Sequence, residues 1–316
     1  MDLSKVIKGL HHVTATVNDA QEDYDFYTKT LGLRLIKETV NFDNEAVYHF
    51  YYGNEIGEPS TVFTTFPYKD QGVREGVIGN GKVVQTSFSV PVDAIDFWKA
   101  RLKEHAVLFT ESVRFGMTTL VFTDPSGLIL DITGTDEDQR TQKVWTNDQV
   151  DEGQAIKGIH SVTFSVEDGD ATGDFMNTFG YRKADHEETL TKYEAGEGGP
   201  GNTVIMRSNP EGETGINGLG TVHHVAHRVD TLETLEKVRA YIADELGMQI
   251  TEVKDRKYFK SIYFRIPGNV LFEVATEEPG FLVDESNEEL GTSLKLPDWQ
   301  EVRREKIEEN LLPYER

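Results

Sequence analysis

Four short runs decide the fold: Leu10–Val17 (LHHVTATV), Val83–Val90 (VVQTSFSV), Ile159–Val166 (IHSVTFSV) and Val222–Val229 (VHHVAHRV). Each is β-rich, and each stands before a more helix-like stretch. Those stretches include DAQEDYDFYTKTLGLRL, VDAIDFWKARLKEHAVLF, ATGDFMNTFGYRKAD and TLEKVRAYIADELGMQI. Apolar residues there recur three and four apart, as a helix covering a sheet requires. A strand-then-helix pattern repeated along one chain indicates one supersecondary unit used four times.

The ends of two repeats also match. Thr119–Thr133 reads TLVFTDPSGLILDIT and Ser261–Thr276 reads SIYFRIPGNVLFEVAT. Both predict a strand, a Pro-containing tight turn and a second strand ending in a carboxylate. Asp131 and Glu273 are equivalent, six residues after Pro125 and Pro267. Gly127, Gly268 and Asn269 suit a turn with positive φ. The expected fold class is α+β: four βαβββ modules forming two paired-module halves with curved mixed sheets. Module boundaries fall near 1–80, 81–140, 150–210 and 218–280. Modules one and two form an N-terminal half, 1–140, and modules three and four a C-terminal half, 150–280. The polar stretch Thr135–Gly153 reads as a linker. The extension 281–316, with Trp299 and Tyr314, is expected to pack on the body.

Composition narrows the function. With 316 residues and 37% hydrophobic content, the chain can bury a sizeable core. It has no cysteine, which excludes disulfides, thiolate zinc sites and cysteine nucleophiles. Its 55 acidic against 32 basic residues give a formal charge of −23, a field that repels nucleic acid and anionic membranes. No run approaches the roughly 18 apolar residues that would span a bilayer. The expectation is a cytoplasmic protein with neither a nucleic-acid nor a membrane partner. Pairing of repeats between chains is as open as pairing within one, so a homodimer is allowed. The Gly-rich stretch Glu194–Thr203 lacks the Lys-Ser/Thr of a phosphate loop and reads as a hairpin loop.

Of nine histidines, four fall in two pairs, His11-His12 and His223-His224, at the same place in modules one and four. Neighbours on a strand point to opposite faces, so one member of each pair can line a concave face. Aligning the following valines sets His12 and His224 over Gln85 and Ser161, and Glu273 over Asp131. Modules one and four would then offer His12, His224 and Glu273. Modules two and three would offer Gln85, Ser161 and Asp131, a poor metal set that reads as structural. Two imidazoles and one carboxylate leave open coordination positions, which suits non-haem Fe(II). Mn(II) or another divalent metal, zinc included, shares those donors.

Several segments together resemble the vicinal oxygen chelate (glyoxalase/bleomycin resistance/dioxygenase) superfamily. The resemblance is closest to its MhqO/PcpA-like hydroquinone ring-cleaving dioxygenases. It is carried by GLHHVTATV, FYTKTLGLRLIKETVNFD, YHFYYGNEIGEPSTVFTTFP, RFG, GIHSVTFSV, GTVHHVAHRV, DRKYFKSIYFRIPGNVLFEVATEEPGF and LGTSLKLP, and it covers nearly the whole chain. It implies metal ligation by His12, His224 and Glu273, with His11, Tyr263 and Arg256 supporting catalysis. Asp255 and Lys257 flank that arginine. The implied activity is extradiol-type opening of a small aromatic diol, a hydroquinone or a catechol, by dioxygen. Tyr263 would hydrogen-bond or pass a proton to a substrate oxygen. Arg256 would place charge near the product or form a surface ion pair, and His11 would orient a ligand. His227 reads as a solvated strand histidine.

Two rivals share the modules. A glyoxalase-like isomerase or lyase generally wants a second carboxylate from the partner module, and Thr61–Phe66 (TVFTTF) has none. A metal-free quinone- or drug-binding protein has no need for three convergent ligands.

Overall fold

The computed structural model, which describes residues 1–316, arranges the repeats as two eight-stranded sheets. The first sheet runs Lys254–Asp255, Lys260–Arg265, Leu271–Thr276, Thr221–Val229, Leu10–Val17, Val62–Pro67, Asn44–Gly53 and Arg34–Asn41. The second runs Arg182–Glu187, Leu190–Glu194, Thr203–Ser208, Gly158–Val166, Lys82–Val90, Ile129–Gly134, Met117–Thr123 and Phe109–Arg114. Modules one and four therefore share one sheet, and modules two and three the other.

In each sheet the join is an antiparallel pair of repeat strands. Val13 opposes Val225 in the first, and Ser87 opposes Ser161 in the second. Within modules two and four the repeat strand also lies parallel to the strand that carries the carboxylate, which stands third of six residues instead of at the strand end as the sequence suggested. That sets Ala226 beside Glu273 and Ser87 beside Asp131, the same register in both. A parallel neighbour needs a crossover, and the helix and hairpin between the two strands supply it.

The covering helices include Ala20–Asp25, Ile95–Glu104, Gly169–Thr178 and Leu232–Ala240. Asp19, Asp168 and Thr231 cap three of them by accepting from free N–H groups of the first turn. None of the helices is long and apolar enough to cross a membrane. One hydrophobic cluster, drawn from all four modules, joins the sheets and helices, so the sheets cannot part without opening the core.

The turn glycines adopt positive φ, +92° at Gly127 and +91° at Gly268. At Gly268 a Cβ would also lie 2.6 Å from Val166 Cγ1, so two requirements meet on one residue. Gly-rich 194–203 is the connection between the antiparallel strands Leu190–Glu194 and Thr203–Ser208. In the segment 135–153, Arg140 donates to Ser60 O and Ser89 Oγ, tying the two sheets together.

Beyond residue 280, Phe281 packs on Tyr51 and Tyr258, and Leu296, Ile307 and Leu311 pack on Val40. Tyr314 sits against Tyr48 and Phe50 and donates to the buried Glu38.

His227 departs from its expected solvated place. It is fully buried between Phe179 and Phe272, 2.8 Å from the Tyr181 hydroxyl. Its face of the strand is covered by aromatic side chains, so alternation carries it into the core instead of solvent.

Candidate functional site

The first histidine of each pair has no partner in the strand ladder. Leu10 pairs with His227 and His12 with Ala226, which leaves His11 out. Thr14 pairs with His224 and Ala15 with Val222, which leaves His223 out. Each is the extra residue of a β-bulge, a device that re-aims side chains. The consequence is direct contact within each pair: Nδ1 to Nδ1 is 2.8 Å for His11-His12 and 2.8 Å for His223-His224.

The contact sets a tautomer. His11 Nε2 is 3.1 Å from the Thr276 carbonyl oxygen, which can only accept. Burial, with the adjacent His12, pushes His11 down to about 3, so the ring is neutral and its single proton lies on Nε2. Its Nδ1 therefore accepts the His12 Nδ1 proton, which in a neutral His12 ring leaves the lone pair on Nε2.

That lone pair faces His224 Nε2 at 3.4 Å and Glu273 Oε2 at 3.4 Å, and His224 Nε2 lies 2.8 Å from the same oxygen. All three residues are buried. Burial lowers His224 and keeps it neutral. Burial opposes the charge of Glu273, but His12 and His224 beside it outweigh that and hold its carboxyl well below the usual range. Neither Glu273 oxygen accepts a hydrogen bond. Two imidazole nitrogens and a carboxylate oxygen thus converge in a buried spot, where a cation among them would compensate the desolvated negative charge. Donors about 2.1 Å from one centre stand about 3.0 Å apart at right angles and about 3.4 Å apart at tetrahedral angles, comparable to the 2.8–3.4 Å found here. His12, His224 and Glu273 fit a divalent metal.

The triad lies at the floor of a cavity of about 400 Å³. His49, Tyr51 and Phe66 form aromatic wall, and His49 lies 4.1 Å from both rings. Tyr263 and Arg256 line the same cavity. The Tyr263 hydroxyl accepts from Arg256 Nε at 3.0 Å and from Ser261 Oγ at 3.0 Å. With two donors on its oxygen, its own proton is free to point into the cavity. Burial, with the charge of Glu273, raises its pKa, so it is a neutral donor. Arg256 also pairs with Asp43 at 3.0 Å. The flanking residues turn elsewhere, Asp255 to Lys260 and Lys257 to Asp298. His11 stays behind His12 and lines a separate hollow with Phe259.

The residue equivalent to Glu273 in module one is Thr64, which faces Thr14 as Glu273 faces Ala226. It donates to Thr14 Oγ1, and His49 Nε2 lies 2.9 Å from its oxygen. A hydrogen-bonded alcohol, not a fourth anionic ligand, completes this side. His223 in its contact with His224, His49 and Thr64 were not singled out from sequence. The alternation of His49 and Tyr51 on one strand face is the one signal that could have marked them as cavity wall.

In the second sheet Asp131 accepts from Gln85 Nε2 and Ser87 Oγ, each at 2.6 Å, and from Arg114 Nη2 at 3.2 Å. A guanidinium supplies the cation there, and the set is structural.

Known proteins agree with this architecture. The family model of the Glyoxalase/Bleomycin resistance protein/Dioxygenase superfamily matches residues 9–132 and 158–279. "Putative ring-cleaving dioxygenase MhqO" of Bacillus subtilis is 43% identical over 99% of this chain and 98% of its own. "Chlorohydroquinone/hydroquinone 1,2-dioxygenase" of Sphingobium indicum is 36% identical over 96% of each. A crystal structure titled as a putative dioxygenase from Bacillus subtilis superposes with a TM-score of 0.92 at 42% identity, over 98% of both chains. Maize glyoxalase I shares the fold at 15% identity, with a TM-score of 0.64 over 88% of this chain and 95% of its own. With both halves matched by the family model and full-length relatives at this identity, the chain belongs to the glyoxalase/bleomycin resistance protein/dioxygenase superfamily.

Proposed function

We propose that this protein is an Fe(II)-dependent, extradiol-type ring-cleaving dioxygenase acting on a hydroquinone, with a catechol as the other candidate diol. One observation carries the reading. Two imidazoles and one carboxylate converge beneath an aromatic-walled cavity, and the fourth place is an alcohol, Thr64, already engaged with His49 and Thr14. Three ligands leave adjacent positions open for a diol oxygen and dioxygen, the arrangement associated with non-haem Fe(II) oxygenases. The names of the relatives in Bacillus and Sphingobium, ring-cleaving and hydroquinone dioxygenases, support the same class.

His12, His224 and Glu273 would hold the ion. When bound, Fe(II) supplies Lewis acidity for a phenolic oxygen and a path for electrons from ring to dioxygen. The rest is work for the chain. The rings of His49, Tyr51 and Phe66 hold a flat substrate against the floor. Tyr263 donates its proton to an oxygen that gains charge as the ring opens. Arg256 keeps the Tyr263 oxygen in place and adds positive charge where a carboxylate forms. His11 keeps His12 in the tautomer that can bind metal. The isomerase or lyase reading would need an anion where Thr64 stands. A metal-free binder would leave Glu273 buried beside two lone pairs without compensation.

The test is anaerobic reconstitution with Fe(II), followed by oxygen uptake with 2-methylhydroquinone and catechol in parallel. The expected result is stoichiometric oxygen consumption and an open-chain product, both lost in Glu273→Ala. Tight metal binding without oxygen uptake would favour the isomerase or lyase, and neither binding nor uptake would favour a binder.

A further inference from the structure

The second sheet has its own concave cavity, about 310 Å³, and its chemistry differs from the first. The two edge strands of the sheet meet across its mouth at one contact. The Phe115 N–H, in the turn after Phe109–Arg114, donates to Glu187 Oε2 at 2.6 Å across the mouth. Lys192 lies 5.5 Å over the Phe115 ring on the same side and faces Glu194. The cavity is therefore walled by both ends of one sheet.

Two guanidinium groups line it, Arg114 and Arg207. Arg114 is committed to Asp131, Ser87 and, at the limit of reach, Thr163. Arg207 sits on Thr203–Ser208, is half-buried, and makes no ion pair and no side-chain hydrogen bond. Burial and the charge of Arg114 lower its pKa, so its closest charged influence is another cation. Glu187 and Glu188 also line the cavity, the first accepting from the Phe115 N–H and the second in an exposed turn, and neither makes an ion pair with Arg207. Half-buried arginines ordinarily find an anion, because partial desolvation of a guanidinium is otherwise uncompensated. Two such groups on one cavity, one without a partner, ask for a carboxylate from outside. Val121 and Leu190 supply apolar wall beside them.

We propose that this cavity binds a small carboxylate with an apolar body, its carboxylate received by Arg207. The site is independent of the metal triad, which lies in the other sheet.

The experiment is isothermal titration of the metal-loaded protein with benzoate, with benzamide and inorganic phosphate as comparison probes. Benzoate binds saturably. Arg207→Gln weakens it on the order of 10- to 100-fold, as expected for loss of a charge-assisted pair. Glu273→Ala, which removes the metal site, leaves benzoate binding unchanged, and oxygen uptake by Arg207→Gln stays at the wild-type level. Benzamide, lacking the charge, and phosphate, lacking the apolar body, bind more weakly. Should Arg207→Gln melt at a lower temperature than the wild type, Arg207→Lys serves instead. It keeps the charge, loses the two-pronged geometry and weakens benzoate by a smaller factor. Benzoate binding that survives Arg207→Gln, that disappears with Glu273→Ala, or that phosphate matches would overturn the assignment, as would absence of saturable binding.

Discussion

Replacing His11 by phenylalanine tests whether the histidine pair is a device for metal binding. The ring keeps its shape in a nearly closed site, 4% exposed, against Phe259. The change removes the acceptor that lies 2.8 Å from His12 Nδ1. His12 then has two choices. It can keep its Nδ1 proton buried and unpaired, at a cost of about 1–3 kcal/mol. Alternatively it can move that proton to Nε2, toward Glu273, and forfeit the lone pair a metal needs. The first cost is the same with and without metal and leaves affinity unchanged, whereas the second lowers metal binding by the energy the shifted proton recovers, up to the full cost of the unpaired donor, about 5- to 150-fold. That range overlaps the 10- to 100-fold typical of lost support behind a ligating histidine. The assay is anaerobic Fe(II) competition with a chromophoric chelator, with circular dichroism to establish the fold. His11→Gln is the rescue: its amide can accept from His12 and donate to the Thr276 carbonyl, so affinity recovers in part. A folded His11→Phe protein that binds Fe(II) as tightly as the wild type would refute the reasoning.

Two other outcomes follow from the same geometry. Tyr263→Phe removes the proton aimed into the cavity while Arg256 remains; kcat should fall by roughly 10²–10⁴ if Tyr263 is the acid, with metal affinity unchanged, and an unaltered kcat removes that role. Asp23 is buried between Tyr52 and Thr65, and burial lifts its carboxyl to about 8, with Asp124 nearby lifted to about 6. A folded-state pKa above the unfolded one favours the fold below about pH 4, and that stabilisation is lost as pH rises to about 8, at up to about 1.4 kcal/mol per unit. Asp23→Asn should therefore gain Tm relative to wild type between pH 5 and pH 8; parallel Tm curves for the two proteins would rule the explanation out.

Much of this site was legible because repeats write the same local pattern several times. The strand runs, the turn with Gly268, and the carboxylate six residues after each proline can all be counted along the chain. Alignment of those repeats singled out His12, His224 and Glu273 without any contact being known. The parts that could not be read depend on which strands pair and in what register, the two histidine strands lying more than 200 positions apart. Alternation alone put His11 and His12 on opposite faces, but the ladder between Leu10–Val17 and Thr221–Val229 contains two bulges, and these bring each pair ring to ring. His227 obeyed alternation yet met Phe179 and Tyr181 instead of solvent, because the covering side chains come from another module. Thr64, His49, and the Arg256–Tyr263 contact became site features only when separate strands converged on one cavity. Sequence by itself determined the module, the donor types and their places along each strand, since these follow from local periodicity. Tertiary structure decided ring orientation, tautomer and which residues surround the triad, since these depend on strand register and on which groups remain unpaired once the sheet has closed.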